Sequence, residues 1–412
     1  MRSFIRLKSV RVATAVAIVA GTAGVATLTS LTTTAQADPS FTTAYAGVGA
    51  DVTQDLYAGL SGASPSPGNG ATSGSFDTTQ FYLPIHSSNA TFDKTIDSFD
   101  ASPSGGTTVN PGCITTKLGG PSFDRPNSST AGINALYDSV QGTGWENSSA
   151  SCTGTPVNVT GQIDFARSAR GPKTSGTTLT FIPFGRDAVG VLYYDKGDGH
   201  LASLTTAELQ ALYTSSTGTD VINGDTVAAC LTLSGSTPRS NLETALGITD
   251  AQASAAATAA GCNNIQQNSG NSFYTAATGL SSGDDAVIPI SSGSWISQAN
   301  GEAVDRSNTA RSGGVDLAAI DSLGQPYTLS GSTEVVNTTY YQSTSYGYNL
   351  YTVVPTSKLS GFTSDAALES LFSGSGSALC SSTEQTIVND FGFDSLTSGE
   401  GTCGSTTTTG NG

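Results

Sequence analysis

The chain has 412 residues with 49 Gly, 16 Lys plus Arg against 32 Asp plus Glu, and a formal net charge of −16, yet only 12% of its residues are charged. Two His leave little for imidazole chemistry, and the acidity argues against nucleic acid or anionic lipid as partners. The length allows a substantial core and two or three domains, and periodic apolar segments mark a folded, Gly/Ser/Thr-rich protein.

Arg2, Arg6, Lys8 and Arg11 form a basic start, residues 12–28 are apolar and free of acid, and Thr34-Ala35-Gln36-Ala37 ends in the small-x-small pattern that a signal peptidase accepts. Residues 1–37 are therefore expected to be a cleaved signal peptide. No Cys follows the apolar stretch where a lipid anchor needs one, and no later run is long and apolar enough to span a bilayer. The mature protein is expected to be soluble and exported. Its six cysteines, Cys113, Cys152, Cys230, Cys262, Cys380 and Cys403, are an even number, which in an exported chain favours disulfides. Their spacing suggests the local pairs Cys113–Cys152, Cys230–Cys262 and Cys380–Cys403. Neither His86 nor His200 stands at metal-ligand spacing from a Cys, and neither a metal nor a cofactor is expected.

Along the chain, a short helical pattern at 53–60 precedes a Pro/Gly/Ser-rich loop at 61–75 and a strand-like run at 81–85. Apolar residues at helical spacing over 131–137 follow a hydroxyl-rich start at 127–130. Strands are expected at 157–166 and 178–194, the second long, β-branched and aromatic. Residues 204–213 read as a helix with Thr205 as N-cap and Glu208 three positions on. Then come a strand at 227–233, a loop at 234–239, a helix at 241–246, and an Ala-rich helix at 251–260 capped by Asp250. Strands at 285–290 and 348–355 and helices from 295, 365 and 383 complete an α/β pattern with mixed sheets. The Thr-rich tail at 403–412 is expected to fray.

A Ser-His-Asp triad has only two His to draw on and no G-x-S-x-G elbow. Asp195-Lys196-Gly197-Asp198-Gly199 lacks the terminal bidentate Glu of a calcium loop and reads as a solvated turn. Four loops of one kind stand out instead: small, hydroxylated and placed at strand-to-helix junctions. They are Gly47 to Thr53, Arg125 to Gly132, Asp164 to Arg170, and Ser234 to Arg239. Each can aim N–H groups and hydroxyls at one point, and a helix N-terminus adds about half a positive charge there. Singly, such loops merely cap helices; converging, they form an oxyanion cradle that needs few lysines.

The collinear strings GVGADVTQDLY, RPNSSTAGINAL, IDFARSARGP, FIPFGRDAVGVLYY, LTTAELQALY, SGSTPRSNLETALGI, DDAVIPISSGSWISQANG and RSGGVDLAAID resemble the phosphate-type solute-binding proteins of ABC transporters, most closely secreted actinobacterial members. The resemblance implies an α/β type 2 periplasmic-binding-protein fold, two lobes joined by two crossover strands with the ligand cleft between. Lobe 1 would combine 41–186 with 290–402, lobe 2 would be the inserted 187–289, and hinge closure would be the expected motion. Carried over residue by residue, it places the ligand on Asp51, Val52 and Thr53, on Ser129 and Thr130, on Ser168, and on Ser236 and Thr237. Two departures accompany this. Ala169 stands where the family has a carboxylate that accepts the proton of hydrogen phosphate, and Pro238 replaces a threonine, deleting a donor. Arg170 and Arg239 are candidates to supply the missing charge.

The expected function is non-catalytic capture of an oxyanion, phosphate first, for ABC-type uptake, with a permease as partner and no nucleic acid. The protein is expected to be monomeric and free in the cell-wall space. Two alternatives stand beside it: a secreted surface-interaction or adhesion protein that kept the fold and lost the ligand, and a phosphatase-like hydrolase, for which neither a metal cluster nor an activated nucleophile is visible.

Overall fold

The stretches rich in Val, Ile and aromatic residues line up in one central mixed sheet in the computed structural model, which describes residues 42–62, 82–87, 93–101, 112–146, 152, 154–196, 199–280, 285–397 and 401–412. The expected signal peptide and most of the 61–75 loop lie outside these residues. The strand order is Thr219–Ile222, Asp225–Ala229, Asp285–Ser291, Leu179–Tyr194, Gly347–Pro355, Phe165–Ser168, Tyr45–Gly49 and Ile96–Ser98. Tyr45–Gly49 runs parallel to both its neighbours, and Asp225–Ala229 runs parallel to Asp285–Ser291. The two long strands of the centre pair antiparallel.

The Leu179–Tyr194 strand organises the molecule. Its first part, Leu179 to Ala188, pairs with Gly347–Pro355; from Val189 onward it pairs with Asp285–Ser291. The apolar packing divides at the same residues. One buried cluster draws on Ala188 to Tyr346, and the two others draw on residues 46–184 and 350–393. A strand buried on both faces must be apolar at nearly every position, which is why 179–194 reads as a continuous run rather than an alternating one.

Arg186 and Asp187 sit at the changeover. Arg186 donates to the Tyr341 and Ser343 carbonyls at 2.5 and 3.1 Å and to Asn349 at 2.7 Å. The fully buried Asp187 accepts from Ser291 Oγ at 2.6 Å, Tyr348 OH at 2.5 Å, and the Gly293 and Ala188 N–H groups. These bonds tie both central strands to the start of the Ser292–Asn300 helix.

Local signals placed most elements well, and the differences have local causes. Thr205 and Glu208 form the expected capping box. The Ala-rich helix Asp250–Ala259 is capped by Thr249 with Gln252, so Asp250 is its first residue rather than its cap. The helix expected at 241–246 begins at Thr237, because extended Ser236 and Pro238 suit a first turn in which a missing N–H costs nothing. The strand expected over 157–166 is split: Asn158 Oδ1 accepts from the Thr160 N–H at 2.9 Å, Gly161 takes φ +66°, and the strand resumes at Phe165. Residues 82–87 form no strand.

The tail does not fray. Thr409 and Gly410 pair with Thr180 and Leu179, and the Gly412 carbonyl accepts from the Lys173 and Thr174 N–H groups. All three cysteine pairs form as the spacing suggested, Cys113–Cys152, Cys230–Cys262 and Cys380–Cys403, with Cα separations of 5.7, 4.6 and 5.8 Å. The last anchors the start of this tail to the turn at Ala378–Cys380. Among the described residues no helix is long and apolar enough to cross a membrane.

Candidate functional site

The first loop leaves the Tyr45–Gly49 strand through Gly49, whose φ of +118° suits glycine. Gly49 also faces Gly132 so closely that a Cβ on Gly132 would come within 2.4 Å of the Gly49 Cα, which fixes the first loop against the Ser129–Gln141 helix. Arg167 reinforces this loop from below. It is fully buried and donates to the Gly49, Ala50 and Phe99 carbonyls at 3.2, 3.1 and 2.9 Å, and to Ser98 Oγ.

Beyond Gly49 the chain makes a tight turn, Asp51–Thr53, into the Gln54–Leu60 helix. Asp51 Oδ2 accepts from Asn268 Nδ2 at 3.1 Å. Burial pushes the Asp51 carboxyl up to about 6, against the Asn268 bond and the positive charges of Arg306 and Arg167. Thr53 is 1% exposed, and among the described residues its hydroxyl has no partner.

The second loop enters its helix under strain. Ser128 has φ +117° and ψ +163°, a region that is essentially glycine's, while its hydroxyl accepts from the Ala131 N–H at 3.2 Å. Ser129, 3% exposed, accepts from the Ala169 N–H at 3.0 Å and lies 3.4 Å from the Thr237 hydroxyl. Thr130, on the exposed side, accepts from Arg170 Nε and Nη2 at 3.3 and 3.1 Å.

The third loop holds itself. Ser168 Oγ donates to the Arg170 carbonyl at 2.7 Å and accepts from the Arg170 N–H at 3.2 Å, so its proton is spent locally. Arg170 is half-buried; among the described residues it donates otherwise only to the Gly171 carbonyl, and no carboxylate pairs with it. Desolvation lowers its pKa.

The fourth loop starts the Thr237–Leu246 helix with no side-chain cap. Ser236 Oγ is taken by Thr232 Oγ1 at 2.6 Å. Arg239 turns away: it donates to Glu243 at 3.1 Å, Asp250 at 2.6 Å and the Thr232 carbonyl at 3.0 Å.

The geometry thus brings together Ser129, Thr130, Ala169, Arg170 and Thr237, with the first loop locked beside them through Gly49. It directs Arg239 and the Ser168 and Ser236 hydroxyls elsewhere. Two helix N-termini meet at the Ser129–Thr237 contact, and a guanidinium lies on the first turn of one of them. Positive helix ends and a cation face one another there, a setting that favours negative charge. Arg167, Asn268, Ser294 and Arg306 were not among the expected site residues. Only Asn268 carried a signal, in the Asn-rich stretch where Asn264 and Asn268 both adopt left-handed φ.

His86 and His200 each pair with a carboxylate near the surface, Asp93 and Asp225, both at 2.7 Å. Among the described residues no group of three or more His, Cys, Asp or Glu can hold a metal ion. A cavity of about 620 Å³ lies apart from the four loops and is lined by Asn300, Glu302, Glu334, Asp390 and Asp394 among others, a poor setting for an anion.

No family model matches the chain, and no curated protein matches it. Among solved structures it is similar to a candidate phosphate ABC transporter substrate-binding protein with bound phosphate from Clostridium perfringens, at 11% identity over 86% of this chain and 100% of that one, with a TM-score of 0.44. It is also similar to a phosphate-binding protein from Stenotrophomonas maltophilia, at 12% identity over 86% and 91% of the two chains and a TM-score of 0.42. A candidate phosphate-binding protein from Planctomyces limnophilus follows at 9% identity, 87% and 94% coverage and a TM-score of 0.39. At these scores the likeness carries no weight for fold or ligand; the mixed α/β architecture stands on the strand order itself.

Proposed function

We propose that this chain is an exported, non-catalytic solute-binding protein of the type 2 periplasmic-binding-protein fold that captures a small oxyanion, phosphate first, for ABC-type uptake. The observation that carries the reading is Arg170, a half-buried cation without a carboxylate partner among the described residues, resting on Thr130 beside two facing helix N-termini. Burying an oxyanion is costly unless donors surround it, and this point offers them. Ser129, Thr130 and Thr237 would donate hydroxyl hydrogen bonds, Thr53 would contribute its unpartnered hydroxyl, and the N–H groups of the first turns would add theirs. Arg170 would neutralise charge, and Ser168 would hold its loop in place. We draw the inserted lobe as Ala188 to Tyr346 rather than 187–289, because one apolar cluster spans that whole segment.

Titration calorimetry of the purified protein with phosphate, sulfate and a phosphate ester tests this. Phosphate is expected to bind, and Arg170→Gln to weaken it at least ~10-fold, the loss of one charge-assisted contact. With Ala169 in place of a proton acceptor, sulfate is expected to compete with phosphate. No heat from any of the three would overturn the reading. It would favour a surface-interaction protein, which the engagement of Arg239 by Glu243 and Asp250 and the carboxylate of Asp51 on the first loop already suit.

A further inference from the structure

Three polar contacts fasten the short segment from Asp51 to Asp55 to the part of the molecule built on the Ala188–Tyr346 cluster. Asn268 Nδ2 donates to Asp51 Oδ2 at 3.1 Å, Ser294 Oγ donates to the Val52 carbonyl at 3.4 Å, and Arg306 Nη1 meets Asp55 Oδ2 at 2.9 Å. The receiving side is braced. Gln298 donates through Nε2 to the Asn268 carbonyl at 3.0 Å and accepts on Oε1 from the Arg306 N–H at 3.0 Å and Ser307 Oγ at 2.7 Å. Asn268 Oδ1 in turn accepts from the Ser291 N–H at 3.2 Å. One buried glutamine therefore fixes the backbone at both Asn268 and Arg306, and the Ser291 N–H holds the Asn268 side chain in place, so less freedom is lost when they engage the segment.

The Arg306–Asp55 pair is about four-fifths withdrawn from water, with side-chain exposures of 20% and 22%. It is weakly screened by salt compared with a surface pair. Arg306 also faces the negative charges of Asp51 and Asp100, and Asp51 faces Arg167. Across this seam three carboxylates, Asp51, Asp55 and Asp100, thus meet two guanidinium groups, Arg306 and Arg167.

We propose that Asn268 and Arg306 form a latch that holds the first loop closed onto the Ala188–Tyr346 unit whether or not an anion is present. This rests on the two-lobe reading given above. Ligands of a hinged protein usually provide the closing energy; here the polar seam provides it, and an anion enters through transient opening. Closure in this protein is therefore a property of the chain, and binding changes its shape little.

Small-angle X-ray scattering of the full chain in phosphate- and sulfate-free buffer tests the latch. The wild type is expected to keep the same radius of gyration, near the ~21 Å of a compact chain of its size, with and without phosphate. The Asn268→Ala/Arg306→Gln double variant is expected to have a larger radius of gyration than the wild type in phosphate-free buffer. An unchanged radius in the folded double variant, or a wild type that contracts on adding phosphate, overturns the latch. If the double variant does not fold, Asp55→Asn is read by the same criteria. Expansion that phosphate fails to reverse leaves the latch standing and counts against the oxyanion reading instead.

Discussion

Ser128 holds its backbone where only glycine is at ease, at the entrance to the helix that carries Ser129. Such a conformation costs roughly 1–3 kcal/mol, whereas exchanging a Ser cap for Gly costs only about a few tenths. Ser128→Gly should therefore stabilise the protein by about 1 kcal/mol, read as a raised midpoint in urea unfolding; a lowered midpoint would show that the cap to Ala131 outweighs the strain. Arg239 shows a different lesson. It pairs with Glu243 four residues along one helix, but that helix was expected only from residue 241, so the intrahelical pair that takes Arg239 was hidden until the helix was seen to begin at Thr237. Arg167 and Arg170 were not separable either. They stand three residues apart at a strand end, and only the fold reveals that one is buried beneath the loop while the other rests on Thr130.

Among the elements, those governed by local chemistry were readable: the capped helix after Thr205, the long apolar strand, and the Asp365-capped helix Ala366–Phe372. What the sequence hid was set by distant partners. The tail pairs with residues more than two hundred positions earlier, and Thr-rich composition gives no hint of it. The resemblance set a lobe boundary between Arg186 and Asp187, but nothing in the sequence pointed to the hydrogen bonds made there. Asp187 serves four donors there, from Ser291, Tyr348, Gly293 and Ala188. Truncating it to alanine strands several of them in a dry environment at roughly 1–3 kcal/mol each. Asp187→Ala is expected to lower stability by at least about 3 kcal/mol in chemical denaturation. A loss under ~1 kcal/mol would mean that the changeover is not a structural keystone.

For the molecule as a whole, acidity and burial act together. Burial raises Asp51 and Asp187 to about 6, and Glu243 and Glu334 to about 7. A carboxyl whose pKa is raised on folding binds its proton more tightly in the native state. Its contribution to stability is therefore full below the unfolded pKa and is lost as pH rises through the folded value. The net charge of −16 adds self-repulsion in the same direction. The melting temperature is thus expected to rise as pH falls from 8 to about 5. A fall over that interval in scanning calorimetry would contradict the assignment of these buried carboxyls.

Composition fits this picture: a protein with two histidines and many hydroxyls would hold an anion with helix ends and one guanidinium. The most direct test is a crystal structure of the protein grown without phosphate or sulfate and then soaked in phosphate. Tetrahedral density is expected within hydrogen-bonding distance of Ser129 Oγ, Thr237 Oγ1 and the Arg170 guanidinium, with the present 3.4 Å contact between the two hydroxyls opened to admit it. An intact Ser129–Thr237 contact and no density there at saturating phosphate would contradict it.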